Sequence, residues 1–234
     1  MSVTLQLDAS YEEGMRHATT GYRVFEALKL AIVQLQLRPG NLLSEAEVAK
    51  QLGVSRQPVR EAFIKLAEVG LVEIRPQRGT FVVLISRKDV ENARFIREAV
   101  EVAVVRKAAS DASVEEIAAI CRTLRRQEEA LAQGDMGSFL RQDEAFHQSI
   151  ARSADCERAW RLLENLKVQM DRVRYLSMPH ATPIETLIAQ HEAILTAIEN
   201  KNPDRAEEAM REHLSEILKS LPKIAAENPD LFIE

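Results

Sequence analysis

From Asp89 onward this chain sets its apolar residues three and four apart, whereas the stretch from Gly70 to Leu84 reads as strand. The two periods are incompatible: an apolar stripe repeating every 3.6 residues cannot lie flat in a sheet, and a period of two cannot line one helix face. The chain is therefore expected to fold as a small mixed N-terminal piece followed by an all-helical body. Its 234 residues suffice for two modest domains, each with its own core. No apolar run approaches the ~20 residues needed to span a bilayer. The first residues lack the basic start and apolar block of a secretory signal. Cys121 and Cys156, the only cysteines, match no metal spacing and make no disulfide framework. A cytoplasmic protein with no membrane partner is expected.

The N-terminal piece can be read element by element. Residues 1–20 are polar and aperiodic, the pattern of a flexible arm. Val24, Leu28, Ala31, Ile32 and Leu35 then recur at helical spacing, and Arg38-Pro39-Gly40 ends that run. Ser44 stands three residues before Glu47, the capping-box spacing that opens a second helix, and Gly53 closes it. Ser55 opens a third helix with Val59, Ala62, Phe63, Leu66 and Ala67 on one stripe, closed by Gly70. Residues 71–75 and 80–84 are expected to be strands joined by the turn Pro76-Gln77-Arg78-Gly79. Three helices and a β-hairpin wing, in this order, make a winged helix-turn-helix over residues 21–85.

Residues 86–222 are expected to form an all-α helical bundle, with helices near 89–110, 113–133, 136–154, 156–178, 184–200 and 203–220. Pro179, Pro183 and Pro203 fall between them, where helices break. Residues 223–234 read as a loosely held tail. The fold class is thus mostly α: a winged helix-turn-helix followed by an all-α helical bundle.

Charge is unevenly placed. The net charge is −5, yet residues 1–85 carry ten Lys/Arg against nine Asp/Glu, and residues 50–78 six against three. Local field matters more than whole-chain charge for phosphate binding. Within the basic stretch, Gly53-Val54-Ser55-Arg56-Gln57-Pro58-Val59-Arg60 is a tight turn leading into a helix. Its first two turns present Ser55, Arg56, Gln57 and Arg60 away from the apolar stripe. A recognition helix sets its N-terminal residues against base edges, and Arg pairs with guanine O6 and N7 together. Arg78 at the hairpin tip is the expected wing contact, with Gly79 allowing close backbone approach. Two arginines at helical spacing alone would more often be an ordinary solvated face; the whole helix–turn–helix–hairpin order shifts the weight.

The sequence here resembles the GntR family of regulators. The likeness rests on Leu37-Arg38-Pro39-Gly40, Leu43-Ser44-Glu45-Ala46-Glu47-Val48-Ala49, Leu52 to Ala62, and Gly70-Leu71-Val72 with the Arg78-Gly79 wing. It implies that Arg56 and Arg60 contact operator bases or nearby backbone, supported by Ser44, Ser55 and Gln57. Fatty-acid-responsive members carry a DNA-contacting Arg in the second helix where this chain has Ala46, so their operator sequence does not transfer.

In the bundle, Asp143 and His147 are four apart on one helix, and His191 and His213 lie on or beside the apolar faces of two others. His17, in the arm, and His180, in a Pro-rich loop, do not read as ligands. Each inward His taken alone is more often a core residue bonded to backbone. Three of them with an Asp leave a metal and a set of ordinary core polar residues evenly balanced. The segment from about 89 to 220 resembles the FCD effector domain of the FadR-type branch. That resemblance implies that Asp143, His147, His191 and His213 hold a divalent metal; three imidazoles and a carboxylate suit Zn or Ni. Arg97 falls where related domains carry an inward Arg. Arg97 and Arg174 are the expected effector contacts, with an i,i+4 pair to Glu101 equally open for Arg97. Cys156 replaces an Asn common in relatives.

The expected function is a homodimeric, metabolite-responsive repressor of transcription, not an enzyme. Its partners are double-stranded operator DNA and a small organic or sugar acid. The alternatives are a metal-dependent hydrolase built on the Asp/His centre, and a DNA-binding regulator with a purely structural metal.

Overall fold

The protein is described from a computed structural model covering residues 18–177 and 183–233. Residues 1–17 of the arm expected over residues 1–20, with His17, and the loop holding His180 lie outside the described residues. Among the described residues there are ten α-helices and five short strands. The chain divides into two compact units. The first holds the described residues up to Val90, the segment Val168–Tyr175 and the residues from Glu227. The second holds Glu91–Lys167 and Leu176–Ala226.

In the first unit, α1 (Thr20–Val33) is capped by Thr19, whose hydroxyl accepts from Tyr22 N, and buries Val24, Phe25, Leu28, Ala31 and Ile32. It ends before Arg38-Pro39-Gly40, where Leu35 takes a positive φ of 58°. Strand β1 (Leu42–Leu43) leads into α2 (Glu45–Leu52), where the Ser44 hydroxyl accepts from Glu47 N at 3.4 Å and Gly53 closes the helix in the left-handed region. Helix α3 (Arg56–Glu68) follows. Ser55 takes the extended cap conformation without a side-chain bond, so its hydroxyl does not cap the helix. Val59, Ala62, Phe63 and Leu66 form the buried stripe of α3.

The wing is β2 (Val72–Arg75) against β3 (Gly79–Val82), antiparallel with Arg75 opposite Gly79. Arg78 N donates to Arg75 O at 3.0 Å, with Pro76 second and Gln77 at φ 61° third in that turn, the type II pattern. β1 pairs with β3 and completes a three-stranded sheet, order β1-β3-β2. Sequence reading missed β1, because two residues show no period.

β4 (Ile85–Ser86) runs straight into α4 (Arg87–Asp111). In the second unit, α4 is followed by α5 (Val114–Gln133), α6 (Met136–Ser153) and α7 (Glu157–Leu166). Ser113 and Glu116 form a reciprocal capping box at the start of α5. Gly134, left-handed, and Asp135, which accepts from Ser138 N at 2.8 Å, turn α5 into α6. Helix α8 (Val168–Ser177) comes next, then α9 (Ile184–Glu199) and α10 (Pro203–Glu227). The core of the second unit gathers Val105, Ile120, Phe139, Phe146, Ile194 and Ile198.

Two expectations are corrected. The helix read over 156–178 breaks at Lys167. Neither Gly nor Pro marks the break; packing makes it. Lys167 Nζ reaches Glu144 at 2.7 Å, while Val168 joins the hydrophobic core of the first unit. The stretch after Pro222, read as a loose tail, stays helical to Glu227, with Leu221 and Ile224 buried. It ends in β5 (Phe232–Ile233), which pairs with β4 in parallel. Burial of those side chains offsets the hydrogen bond a proline withholds.

Residues Val168–Tyr175 also latch the wing. Gln169 Nε2 donates to Gly70 O at 2.6 Å and its Oε1 accepts from Arg172 Nη1 at 2.8 Å, while Arg172 Nη2 donates to Val83 O at 2.9 Å. Arg172 is fully buried, and burial lowers its pKa to about 10. No helix of the described residues is long and apolar enough to cross a membrane.

Candidate functional site

In the first unit, the residues expected to meet DNA are all exposed. Ser44, Ser55, Arg56, Gln57 and Arg60 are exposed on α2 and α3, and Arg78 and Gly79 at the wing. Arg60 donates from Nε and Nη2 to the two carboxylate oxygens of Glu45, both at 3.0 Å. Gln57 Nε2 donates to Glu61 Oε1 at 3.1 Å. Gly79, at φ 109°, passes so near Leu42 that an added Cβ would meet its Cδ1 at 2.5 Å.

Three helices of the second unit bring four side chains to one point. Asp143 and His147 leave α6 one turn apart, His191 leaves α9 and His213 leaves α10. All four are buried, with ligand atoms within 4.8 Å of one another. Nε2 of His147 and Nε2 of His191 each lie 3.2 Å from Nε2 of His213. Asp143 Oδ1 is 3.7 Å from His191 Nε2.

The outer nitrogens decide the protonation. His191 Nδ1 is 2.7 Å from Gln127 Oε1, His213 Nδ1 3.1 Å from Gln190 Oε1, and His147 Nδ1 2.6 Å from Glu101 Oε2. Both amides are oriented by their other ends: Gln127 Nε2 donates to Gln142 O at 3.3 Å and Gln190 Nε2 to Glu216 Oε2 at 3.0 Å. Oxygens therefore face the rings, each Nδ1 carries the proton, and three Nε2 lone pairs converge. Bare lone pairs so close repel unless a cation lies among them. Nitrogens bound to one zinc at ~2.0–2.1 Å stand about 3 Å apart, as these do. Burial, then the neighbouring His191 and His147, hold His213 well below its usual pKa, so its ring stays a neutral donor. The residues fit a divalent cation.

Around the centre, Phe146 stacks on His191 with centroids 4.3 Å apart and Trp160 lies parallel to His147 at 6.0 Å. Glu101 is buried; desolvation alone would raise its carboxyl, but Arg97 and His147 outweigh it and hold it at about 2. Arg97, also buried, donates from Nε to Glu101 Oε1, and among the described residues its Nη2 has no partner. The i,i+4 pair to Glu101 is thus present and still leaves Arg97 one donor to spare. Arg174, on α8 in the first unit, has its Nη1 3.8 Å from Asp171 Oδ1. Sequence reading missed Glu101 as a histidine partner, although its spacing from Arg97 was a signal. Gln190 adjoins His191 in the chain; Gln127 carried no signal. A surface groove between α9 and α10, lined in part by Glu185, Ala189, Ala193 and Glu212, shares with this centre only Gln190.

Comparison with known proteins agrees with both units. The gntR family of bacterial regulatory proteins matches residues 20–82, and the FCD domain matches residues 93–216. The HTH-type transcriptional repressor RspR of Escherichia coli (strain K12) is 45% identical over 212 residues, covering 91% of this chain and 93% of its own. A probable D-xylose utilization operon transcriptional repressor of Paenarthrobacter nicotinovorans is 30% identical, covering 87% of this chain and 89% of its own. Among solved structures, E. coli McbR/YncC shares the fold with a TM-score of 0.76 at 21% identity, covering 90% of this chain and 99% of that one. These families and relatives are transcriptional regulators, which removes the hydrolase alternative. A winged helix-turn-helix followed by a helical domain with a buried Asp/His cluster, matched along most of its length, places the chain in the gntR family of bacterial regulatory proteins, with an FCD domain as its C-terminal part.

Proposed function

We propose that the protein is a homodimeric transcriptional repressor whose FCD domain holds one divalent metal, Zn or Ni, and responds to a small carboxylate. Asp143, His147, His191 and His213 would hold the metal; when bound it supplies a Lewis-acidic position for an effector oxygen. Glu101, Gln127 and Gln190 fix the three imidazoles in the tautomer a metal requires. Repression is the role of the E. coli and Paenarthrobacter relatives, and the latter's D-xylose operon directs the search toward acids derived from sugars.

One observation carries the carboxylate reading. Asp143 and Glu101 bring two negative charges to a buried site, and Arg97 and a divalent cation would bring three positive ones. One positive charge remains, beside a buried Arg97 Nη2 that has no partner among the described residues. A buried charge needs a counter-charge, and a carboxylate meets a guanidinium edge with matched geometry. Arg56 and Arg60 would contact operator bases or nearby backbone, supported by Ser44, Ser55 and Gln57, with Arg78 as the wing contact and Gly79 allowing close backbone approach. A dimer would set two such surfaces on an inverted repeat. An effector acts only through a difference in its affinity for the DNA-competent and incompetent states.

The test is metal analysis of untagged protein purified without chelators, beside His191→Ala. About one Zn or Ni per chain, lost in the variant, is the expected result. A panel of sugar acids should then raise the melting temperature of wild type, and Arg97→Met should abolish the rise. Metal without any carboxylate response would favour the purely structural metal.

A further inference from the structure

The DNA-facing surface carries one carboxylate that the DNA-reading arginines do not by themselves explain. Glu45 opens α2, the first helix of the helix-turn-helix, and accepts two hydrogen bonds of 3.0 Å from Nε and Nη2 of Arg60 on α3. Both side chains reach solvent, at 60% exposure for Arg60 and 32% for Glu45. An exposed ion pair does little for stability. A negative charge on a surface that approaches phosphates weakens attraction to every DNA sequence alike. Its placement calls for another account.

The geometry supplies one. A guanidinium has five N–H donors in one plane. Glu45 takes one from Nε and one from Nη2; of the three left, one on Nη1 and one on Nη2 point together along the free end of the group, and the second on Nη1 lies on the Cδ side. That free edge is one that can span guanine O6 and N7. Two bonds to one carboxylate fix the plane of the group, so the direction of the free edge is fixed as well. The Arg60 bonds, and after them the Arg56 charge, hold the Glu45 carboxyl below its usual value, so it stays an ionised acceptor.

We propose that Glu45 is the positioning residue for Arg60: it orients the guanidinium so that its free edge reads one base, and its own charge lowers affinity for DNA of any sequence. Selectivity rises on both counts. This rests on the DNA-reading role assigned to α3 above.

The experiment uses full-length protein and a duplex selected by the wild type from a randomised pool. Every single-base variant of that duplex, and a scrambled duplex, are titrated by fluorescence anisotropy at one salt concentration. Glu45→Ala should lose about tenfold discrimination at one base pair per half-site and stay within about twofold elsewhere. It should also bind the scrambled duplex a few-fold more tightly. Glu45→Gln, which keeps one acceptor, should lose less. In an Arg60→Ala background, Glu45→Ala should change no positional preference. A uniform loss across all positions, an unchanged profile in folded Glu45→Ala and Glu45→Gln, or the same positional loss without Arg60 would overturn the proposal. A wild type that prefers no duplex over the scrambled one would instead overturn the DNA-reading role on which it rests.

Discussion

The two units put their functional side chains in opposite environments. In the first, Arg56, Gln57, Arg60 and Arg78 are exposed on short elements close together in sequence. In the second, Asp143, His147, His191 and His213 are buried on three helices, gathered from a span of seventy residues. Exposed groups keep their hydration and can be changed singly at little cost to the fold. Buried ones depend on one another: each imidazole needs its outer acceptor, and the acceptors need partners of their own. A DNA surface can thus diverge in sequence preference while its frame stays intact. A buried centre changes as a unit.

Substitutions can break this contrast or sharpen it. The largest effect on stability is expected for Phe146→Ala in the second unit. Its ring is fully buried, stacks on His191 and lies in the main core. Urea unfolding should show a loss of ~3–5 kcal/mol, and metal content should fall as well. Loss of stability with full metal retention would show that the centre does not depend on its aromatic wall.

Next in size is Arg172→Ala, which tests whether the first unit has a high-stakes polar network of its own. The change would strip Val83 O and Gln169 of their donor and leave a cavity. A loss of ~2–4 kcal/mol is expected. Arg172→Lys should not restore it, since one ammonium lacks the planar fork that serves both acceptors. Full rescue by Lys would show that charge alone holds the latch.

A smaller change is expected from Ser113→Ala, which removes half of the capping box of α5 and should cost ~1 kcal/mol. The pH dependence has a definite sign. The backbone N–H and then the hydroxyl of Ser113 hold the Glu116 carboxyl below its usual 4.5. Its stabilising contribution is therefore present above pH 4.5 and is lost as pH falls through the depressed folded value. Ser113→Ala should weaken that acid-side loss without abolishing it, because the backbone donor remains. Melts between pH 3 and 6, a range set by that about-4.5 reference, would show it.

The smallest effect on folding belongs to Arg56→Ala. Its melting temperature should match wild type while binding to the selected operator falls at least about tenfold. Wild-type operator binding would remove Arg56 from the reading surface. A large drop in melting temperature would remove the contrast between the units.

Much of the first unit was legible because its signals are local. Ser44 to Glu47, Gly53, the Val59/Phe63 stripe and the change of period after Gly70 all act within a few residues. What escaped was non-local: β1, two residues long, forms only because β3 offers it partners, and β5 pairs with β4 from the far end of the chain. In the second unit, helical spacing placed the four metal-type residues on inward faces. It gave no hint of Gln127, which faces His191 across the core. Inward orientation follows from periodicity; a partner's identity depends on how helices pack.

The sequence by itself determined the element types, the order of the two domains, the exposed face of α3 and the inward aspect of the three histidines. Those follow from backbone geometry, capping and the periods of helix and strand, which neighbouring residues decide among themselves. Tertiary structure alone decided that three Nε2 lone pairs meet with every Nδ1 paired outward, that Glu101 shares itself between Arg97 and His147, and that α8 begins at Val168. Those facts turn on distances of a few ångströms between groups tens of residues apart, and such distances are settled by close packing of whole elements.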